Sequence, residues 1–210
     1  MKNLMLRGVV VGPVQTNCYF LKNKETQEIL IVDPGAEPDR IIQALFSLEG
    51  KPAGILLTHG HFDHIEAAKE LQQHYQIPVY AAAKEEKILQ DTALNLSVGW
   101  SGKPCSVKAD TYLEDGEVFT LGGFEIRMIL SPGHTEGSCC YWLPEEQVCL
   151  TGDTIFCGSY GRTDLPTGSM RQMKESLHKV LELLPEETEL FPGHGEQTDA
   201  ALEKMHNPYL

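Results

Sequence analysis

Four apolar runs in this chain each break off into a short turn that carries histidine or aspartate. Ile55-Leu56-Leu57 runs into Thr58-His59-Gly60-His61-Phe62-Asp63-His64, and the run ending at Leu130 leads into Ser131-Pro132-Gly133-His134. Val148-Cys149-Leu150 leads into Thr151-Gly152-Asp153, and Glu189-Leu190-Phe191 into Pro192-Gly193-His194-Gly195. Short apolar runs closed by turn residues read as buried strands. Ligand sites in sheets with helical cover gather at such strand ends, because the loops there converge. A fold that makes these strands neighbours brings four loops to one point.

The rest of the chain supplies the frame. NLMLRGVVV, CYFLK and EILIVD read as early strands, the last closed by Pro34-Gly35. A helix is expected from about Pro38 to Leu48, with Ile41, Ile42, Leu45 and Phe46 on one face. IEAAKELQQHY reads as a second helix, and IPVYAA as a strand after it. GEVFTLGGFEIRMIL forms a hairpin through Gly122-Gly123, and CCYWL and QVCLT add two strands. Helices are expected over about Met170 to Leu184 and Thr198 to His206. Strands in both halves with helices between and after them imply two packed sheets flanked by helices.

The side-chain types narrow the chemistry. Imidazole and carboxylate suit zinc, iron or manganese without any thiolate. In an extended segment alternate side chains point the same way, so His59 and His61 can grip one ion. Asp63 and His64 lie past the turn and are free to face another. Seven donors, with His134, Asp153 and His194 added, are too many for one metal and fit two ions that share a carboxylate. His74, His178 and His206 fall within expected helices and lack this context, so a surface or packing role is expected for them.

Composition excludes several classes. The chain has 210 residues and a formal charge of −13, from 17 basic and 30 acidic side chains. That balance repels phosphate backbones and anionic lipid, so neither nucleic acid nor membrane is expected as a partner. No run approaches the roughly 20 apolar residues of a membrane span, and the N-terminal stretch lacks a cleavage signature. A cytoplasmic protein is expected. The six cysteines contain no CxxC and read as buried reduced thiols.

THGHFDH, followed in order by SPGH, TGD and PGHG, resembles the metallo-β-lactamase superfamily, and within it the glyoxalase II (hydroxyacylglutathione hydrolase) group in its short bacterial form. The resemblance runs from VGPVQTNCYF and VDPG to GRTD and NPYL. It implies an α/β fold: a four-layer αβ/βα sandwich of two mixed β-sheets with helices on the outer faces, formed by residues 1–210 as one domain. It also implies that His59, His61 and His134 hold a first divalent ion, and Asp63, His64 and His194 a second. Asp153 would bridge them, with zinc the first expectation and iron or manganese the alternatives. Asp33, in VDPG, resembles a residue that supports the site from behind the ligands; a plain turn-forming role is the alternative.

The activity implied is hydrolysis of a small-molecule thioester of the hydroxyacylglutathione type by a metal-bridging hydroxide, with Asp63 orienting that nucleophile or taking its proton. Asp153 counts against the β-lactamase branches, which resemble this chain but carry Cys or Ser there. His61 counts against the oxygen-reducing diiron branch, which has Glu. Only 16 residues follow His194, so the glutathione-binding helical domain of the long enzymes is not expected. Tyr160 and Arg162, in GSYGRTDLPTG, could reach the pocket mouth and bind a substrate carboxylate; alternatively Arg162 pairs with Asp164 and braces the loop. GRTD also resembles the mononuclear-iron persulfide dioxygenases, the alternative enzyme. A metal-dependent binding or sensor module without turnover is the reading from another class.

Overall fold

In the computed structural model, which describes residues 2–210, the chain begins with β1 (Leu4–Val11), β2 (Thr16–Asn23) and β3 (Glu28–Val32). Helix α1 (Pro38–Ser47), β4 (Lys51–Leu56), α2 (Phe62–Ile65), α3 (Ala68–Tyr75), β5 (Val79–Ala82), α4 (Glu86–Gln90) and β6 (Thr111–Leu113) complete the first half. The second half holds β7 (Val118–Leu121), β8 (Phe124–Leu130), β9 (Cys139–Leu143), β10 (Val148–Gly152), β11 (Ile155–Phe156) and β12 (Ser159–Tyr160). It ends with α5 (Met170–Leu183), β13 (Glu189–Pro192), β14 (Thr198–Asp199) and α6 (Ala200–His206).

Two six-stranded sheets result, ordered β1-β2-β3-β4-β5-β6 and β14-β13-β10-β9-β8-β7. Both are mixed. In the first, β1, β2 and β3 pair antiparallel and β3 through β6 pair parallel. In the second, only β10 and β13 pair parallel. β11 and β12 form a separate hairpin.

Strand periodicity divides the apolar side chains among three cores. Along β3, Leu30 and Val32 point into the space between the sheets, while Ile29 and Ile31 point out beneath the helices. Leu56, Met128, Tyr141 and Leu150 fill the inter-sheet layer. Ile41 and Leu45 of α1 and Leu71 of α3 cover the first sheet's outer face. Met173, Leu177, Val180 and Leu181 of α5 cover the second. Each buried side chain of this size contributes about 2 kcal/mol. The four-layer sandwich expected from the sequence is the fold observed. Among the described residues no helix is long and apolar enough to cross a membrane.

Some local expectations need correction. Phe46 is exposed while Ile41 and Leu45 of the same helix are buried. Five residues of an α-helix sweep about 500°, so Phe46 stands well off the face that Ile41 defines. The helix expected after His64 is two helices, because the Ala67 N–H donates to the Pro34 carbonyl at 3.0 Å instead of to its own helix. Gly35 makes that approach possible, since a Cβ there would overlap the Asp63 carbonyl. The last helix starts at Ala200, with Thr198 and Asp199 paired to β13 and the Asp199 carboxylate capping the Leu202 N–H at 2.8 Å. Cys18, Cys139, Cys140 and Cys149 are buried as expected, but Cys105 is half-buried and Cys157 exposed.

Candidate metal centre

The four loops do converge. His59, His61, Asp63 and His64 follow β4, His134 follows β8, Asp153 follows β10, and His194 follows β13. Asp33, after β3, lies behind them. β4 lies in one sheet and β8, β10 and β13 in the other, and the packing of the two sheets through Leu56, Leu130, Leu150 and Phe191 is how residues 59 and 194 come to share one site.

The donor atoms form three overlapping triads, each drawn together within 4.8 Å: His59-His61-His134, His59-His64-Asp153, and Asp63-His64-His194. His61 Nδ1 lies 2.8 Å from His134 Nε2. His194 Nε2 lies 3.3 Å from His64 Nε2 and 3.3 Å from Asp63 Oδ2. Asp153 stands between the two groups, with Oδ1 3.5 Å from His64 Nε2 and Oδ2 3.5 Å from His134 Nε2.

Hydrogen bonds on the far side of three of the rings decide which nitrogen faces inward. His64 Nδ1 is 3.0 Å from Asp33 Oδ2, and His134 Nδ1 is 2.7 Å from the Arg162 carbonyl. His59 Nδ1 is 3.2 Å from Thr58 Oγ1. Asp33 also accepts from the Thr58 N–H at 2.8 Å and the Thr58 hydroxyl at 2.6 Å. It takes a left-handed φ of 50°, which Asp tolerates better than most residues. Asp33 thus sits in the turn after β3 with its carboxylate against Thr58 and His64.

The electrostatics fit a cation. Burial, then the neighbouring imidazoles, hold His59 well below its ordinary pKa; burial and His134 hold His61 down at about 3. Both rings are neutral, the form that ligates. Burial works against protonation of His64, yet Asp63, Asp153 and Asp33 push it up to about 10. His59 Nε2 and Asp153 Oδ1 are buried without any hydrogen-bond partner. Such orphaned atoms are costly unless something binds them, and divalent ions suit this donor set. Among the described residues no cysteine joins these triads.

A carboxylate that sequence reasoning missed braces the site. Glu85, just past β5, is almost fully buried at 1% exposure. It accepts the Gly60 N–H at 2.7 Å and the Thr135 hydroxyl at 2.9 Å. Burial raises its pKa to about 7, against the hydrogen bonds it accepts from Gly60, Thr135 and Gly137. It thereby joins the loop of His59 and His61, in one sheet, to the loop of His134, in the other. A buried-strand run ending in Ala-Lys-Glu offered no pattern that could have revealed this.

A cavity of about 380 Å³ opens over His61, Asp63, His134, Asp153 and His194. Its walls are Val14, Phe62, Leu96, Trp100, Phe156, Tyr160, Arg162 and Leu165. Tyr160 and Arg162 thus reach the pocket, as the sequence allowed. Arg162 Nε and Nη2 donate to Asp164 at 2.7 and 2.8 Å, the bracing pair that was the alternative reading. Tyr160 packs edge-on against Tyr209, with ring centroids 4.5 Å apart.

Residues 11–194 match the family model of the metallo-beta-lactamase superfamily, and the chain belongs to that superfamily. It is 40% identical to a protein described as probable metallo-hydrolase YqgX of Bacillus subtilis, over 97% of this chain and 96% of that one. It is 33% identical to hydroxyacylglutathione hydrolase GloC of Haemophilus influenzae, over 96% of each. Among solved structures, BLEG-1 B3 metallo-beta-lactamase superposes with a TM-score of 0.92 at 40% identity, covering 98% of this chain and 99% of that one. TTHA1623 in a di-iron-bound form gives 0.85 at 33% identity, with 97% and 100% covered.

Proposed function

We propose that the protein is a dinuclear metallohydrolase that cleaves small-molecule thioesters. The observation that carries this reading is the double cluster: two groups of donors that share Asp153. His59, His61 and His134 would hold one divalent ion, Asp63, His64 and His194 the other, with Asp153 between. When bound, two such ions lower the pKa of a water toward about 7 and polarise a carbonyl. The similarity to a hydroxyacylglutathione hydrolase over nearly the full length supports thioester as the substrate class.

The chain's own groups do the rest. The far-side hydrogen bonds that His64 and His134 donate to Asp33 and the Arg162 carbonyl keep the two rings turned inward before substrate arrives. Asp63 accepts the Thr16 hydroxyl at 2.9 Å, which fixes its carboxylate at the cavity floor. There it orients the attacking water and can accept its proton. No serine or cysteine nucleophile is needed, and Cys139 and Cys140 are buried in the cores.

A second reading, hydrolysis of a β-lactam, is favoured by the 40% identity to a structure described as a B3 metallo-beta-lactamase. One experiment separates the possibilities: metal analysis of the purified chain, with assays on S-lactoylglutathione, other thioesters, glutathione persulfide and a β-lactam. About two ions per chain and thioester turnover are expected. A single iron with oxygen uptake on the persulfide would transfer the assignment to a dioxygenase. Opening of the β-lactam alone would favour the second reading, and metal binding without any turnover a sensor module.

A further inference from the structure

We infer that the cavity beside the cluster takes an uncharged, apolar part of the substrate, so that, resting on the thioester reading above, acyl groups of hydrocarbon character are preferred to anionic ones. Val14, Leu96, Trp100, Phe156 and Leu165 come from four separate segments and line the one cavity. Trp100 keeps 59% and Val14 41% of their surface exposed. Apolar surface held open at a cavity rim marks a place where an apolar ligand lies.

The charge on the cavity wall points the same way. Arg162 is the only lysine or arginine among the described lining residues. The Nε–Nη2 edge of its guanidinium is paired with Asp164, and its guanidinium carbon also lies 6.0 Å from the Trp100 ring centroid. An exposed pair of this kind is held only weakly against solvent, so it can open. Opening it still leaves Asp164 close to any incoming carboxylate, and Arg162 and Asp164 together add no net positive charge beside the wall. The formal charge of −13 on the chain adds to the repulsion.

The test uses the metal-loaded full chain and thioesters of N-acetylcysteamine, a neutral thiol. Across acetyl, butyryl and hexanoyl, kcat/KM should rise about fourfold per methylene, the ratio that corresponds to about 0.8 kcal/mol for a buried CH₂. The carboxylate-ended succinyl thioester should fall about tenfold or more below butyryl, because its charge would lie against apolar wall. A flat series, or a preference for succinyl or for the glutathione thioester, overturns the inference while leaving thioester hydrolysis intact. Binding supplies an independent readout: S-alkyl thioethers of N-acetylcysteamine, which cannot be hydrolysed, should shift Trp100 emission to shorter wavelength, at lower concentration as the chain lengthens. Trp100→Phe gives the Trp142 background for that signal. Chain-length-dependent binding with no thioester turned over would sink the proposed function and leave the pocket assignment standing. Asp164→Asn frees Arg162 on the exposed loop and should raise the succinyl-to-butyryl ratio about threefold or more; an unchanged ratio overturns the role given to the pair.

Discussion

Glu85 accepts the Gly60 N–H at 2.7 Å, so a buried carboxylate grips the peptide that joins His59 to His61. Its other oxygen takes the Thr135 hydroxyl beside His134. Three histidines from two sheets are thereby held to one geometry by a side chain that never meets the substrate. Glu85→Ala should leave the buried Gly60 and Gly137 N–H groups unpaired and cost about 2–4 kcal/mol of stability. Glu85→Gln should recover most of the fold. Thermal unfolding of both variants, with zinc affinity alongside, checks this; an Ala variant as stable as the parent would remove the bracing role.

The same carboxyl makes stability depend on pH. Its pKa is raised from about 4.5 unfolded to about 7 folded, so the folded state binds the proton more tightly. Its contribution is therefore present in full below pH 4.5 and is lost as pH rises through 7. At about 1.4 kcal/mol per pKa unit this is at most on the order of 3 kcal/mol. The metal-free protein should lose more stability between pH 5 and 8 than Glu85→Gln does. Equal slopes in urea titrations of the two proteins would contradict the assignment.

Asp33 holds Thr58 through two hydrogen bonds and turns His64 by a third. Asp33→Ala should weaken metal binding by about 10–100-fold, the usual cost of losing a partner behind a ligating imidazole. On the proposed assignment the larger loss should fall on the ion held by Asp63, His64 and His194, because Asp33 contacts His64 directly and reaches His59 only through Thr58. Metal titration by calorimetry would show one weakened step, and two equally weakened steps would argue against the selective role.

Gly193 lies where a side chain cannot. A Cβ there would press into the Asp153 carboxylate and the His64 ring. Gly193→Ala should therefore lower bound metal below about half of the parent's content while the far-UV spectrum stays unchanged, because the collision is confined to the donor cluster. Full metal content in that variant would show that the loop can yield.

Thiol chemistry offers a simple check on the cores. Cys157 is exposed, whereas burial pushes the thiols of Cys18, Cys139 and Cys149 well up. In the native protein one cysteine should react promptly with a thiol reagent, Cys105 more slowly, and the other four only on unfolding. Rapid loss of more than two thiols would mean that the cores open more readily than their packing implies.

Much of the site was legible in the chain itself, because its donors are local to strand ends. An apolar run, a glycine-rich turn and a histidine or aspartate sit within a few residues of one another, and His59, His61, Asp63, His64, His134, Asp153 and His194 all stood out on that basis. Alternation along β3 and the three- and four-residue spacing along α1 and α5 likewise reveal layers, since burial follows the period of each element. The residues that tertiary structure alone decided are those whose partners are remote in sequence. Glu85 meets Thr135 across 50 positions. Trp100, Leu96 and Leu165 line one cavity only because separate loops fold over it. Arg162 could have faced a ligand or Asp164, and the choice rested on a loop geometry that two residues of sequence cannot encode. Local chemistry determines which groups can bind a metal; the packing of the two sheets determines what holds them there and what kind of molecule can lie beside them.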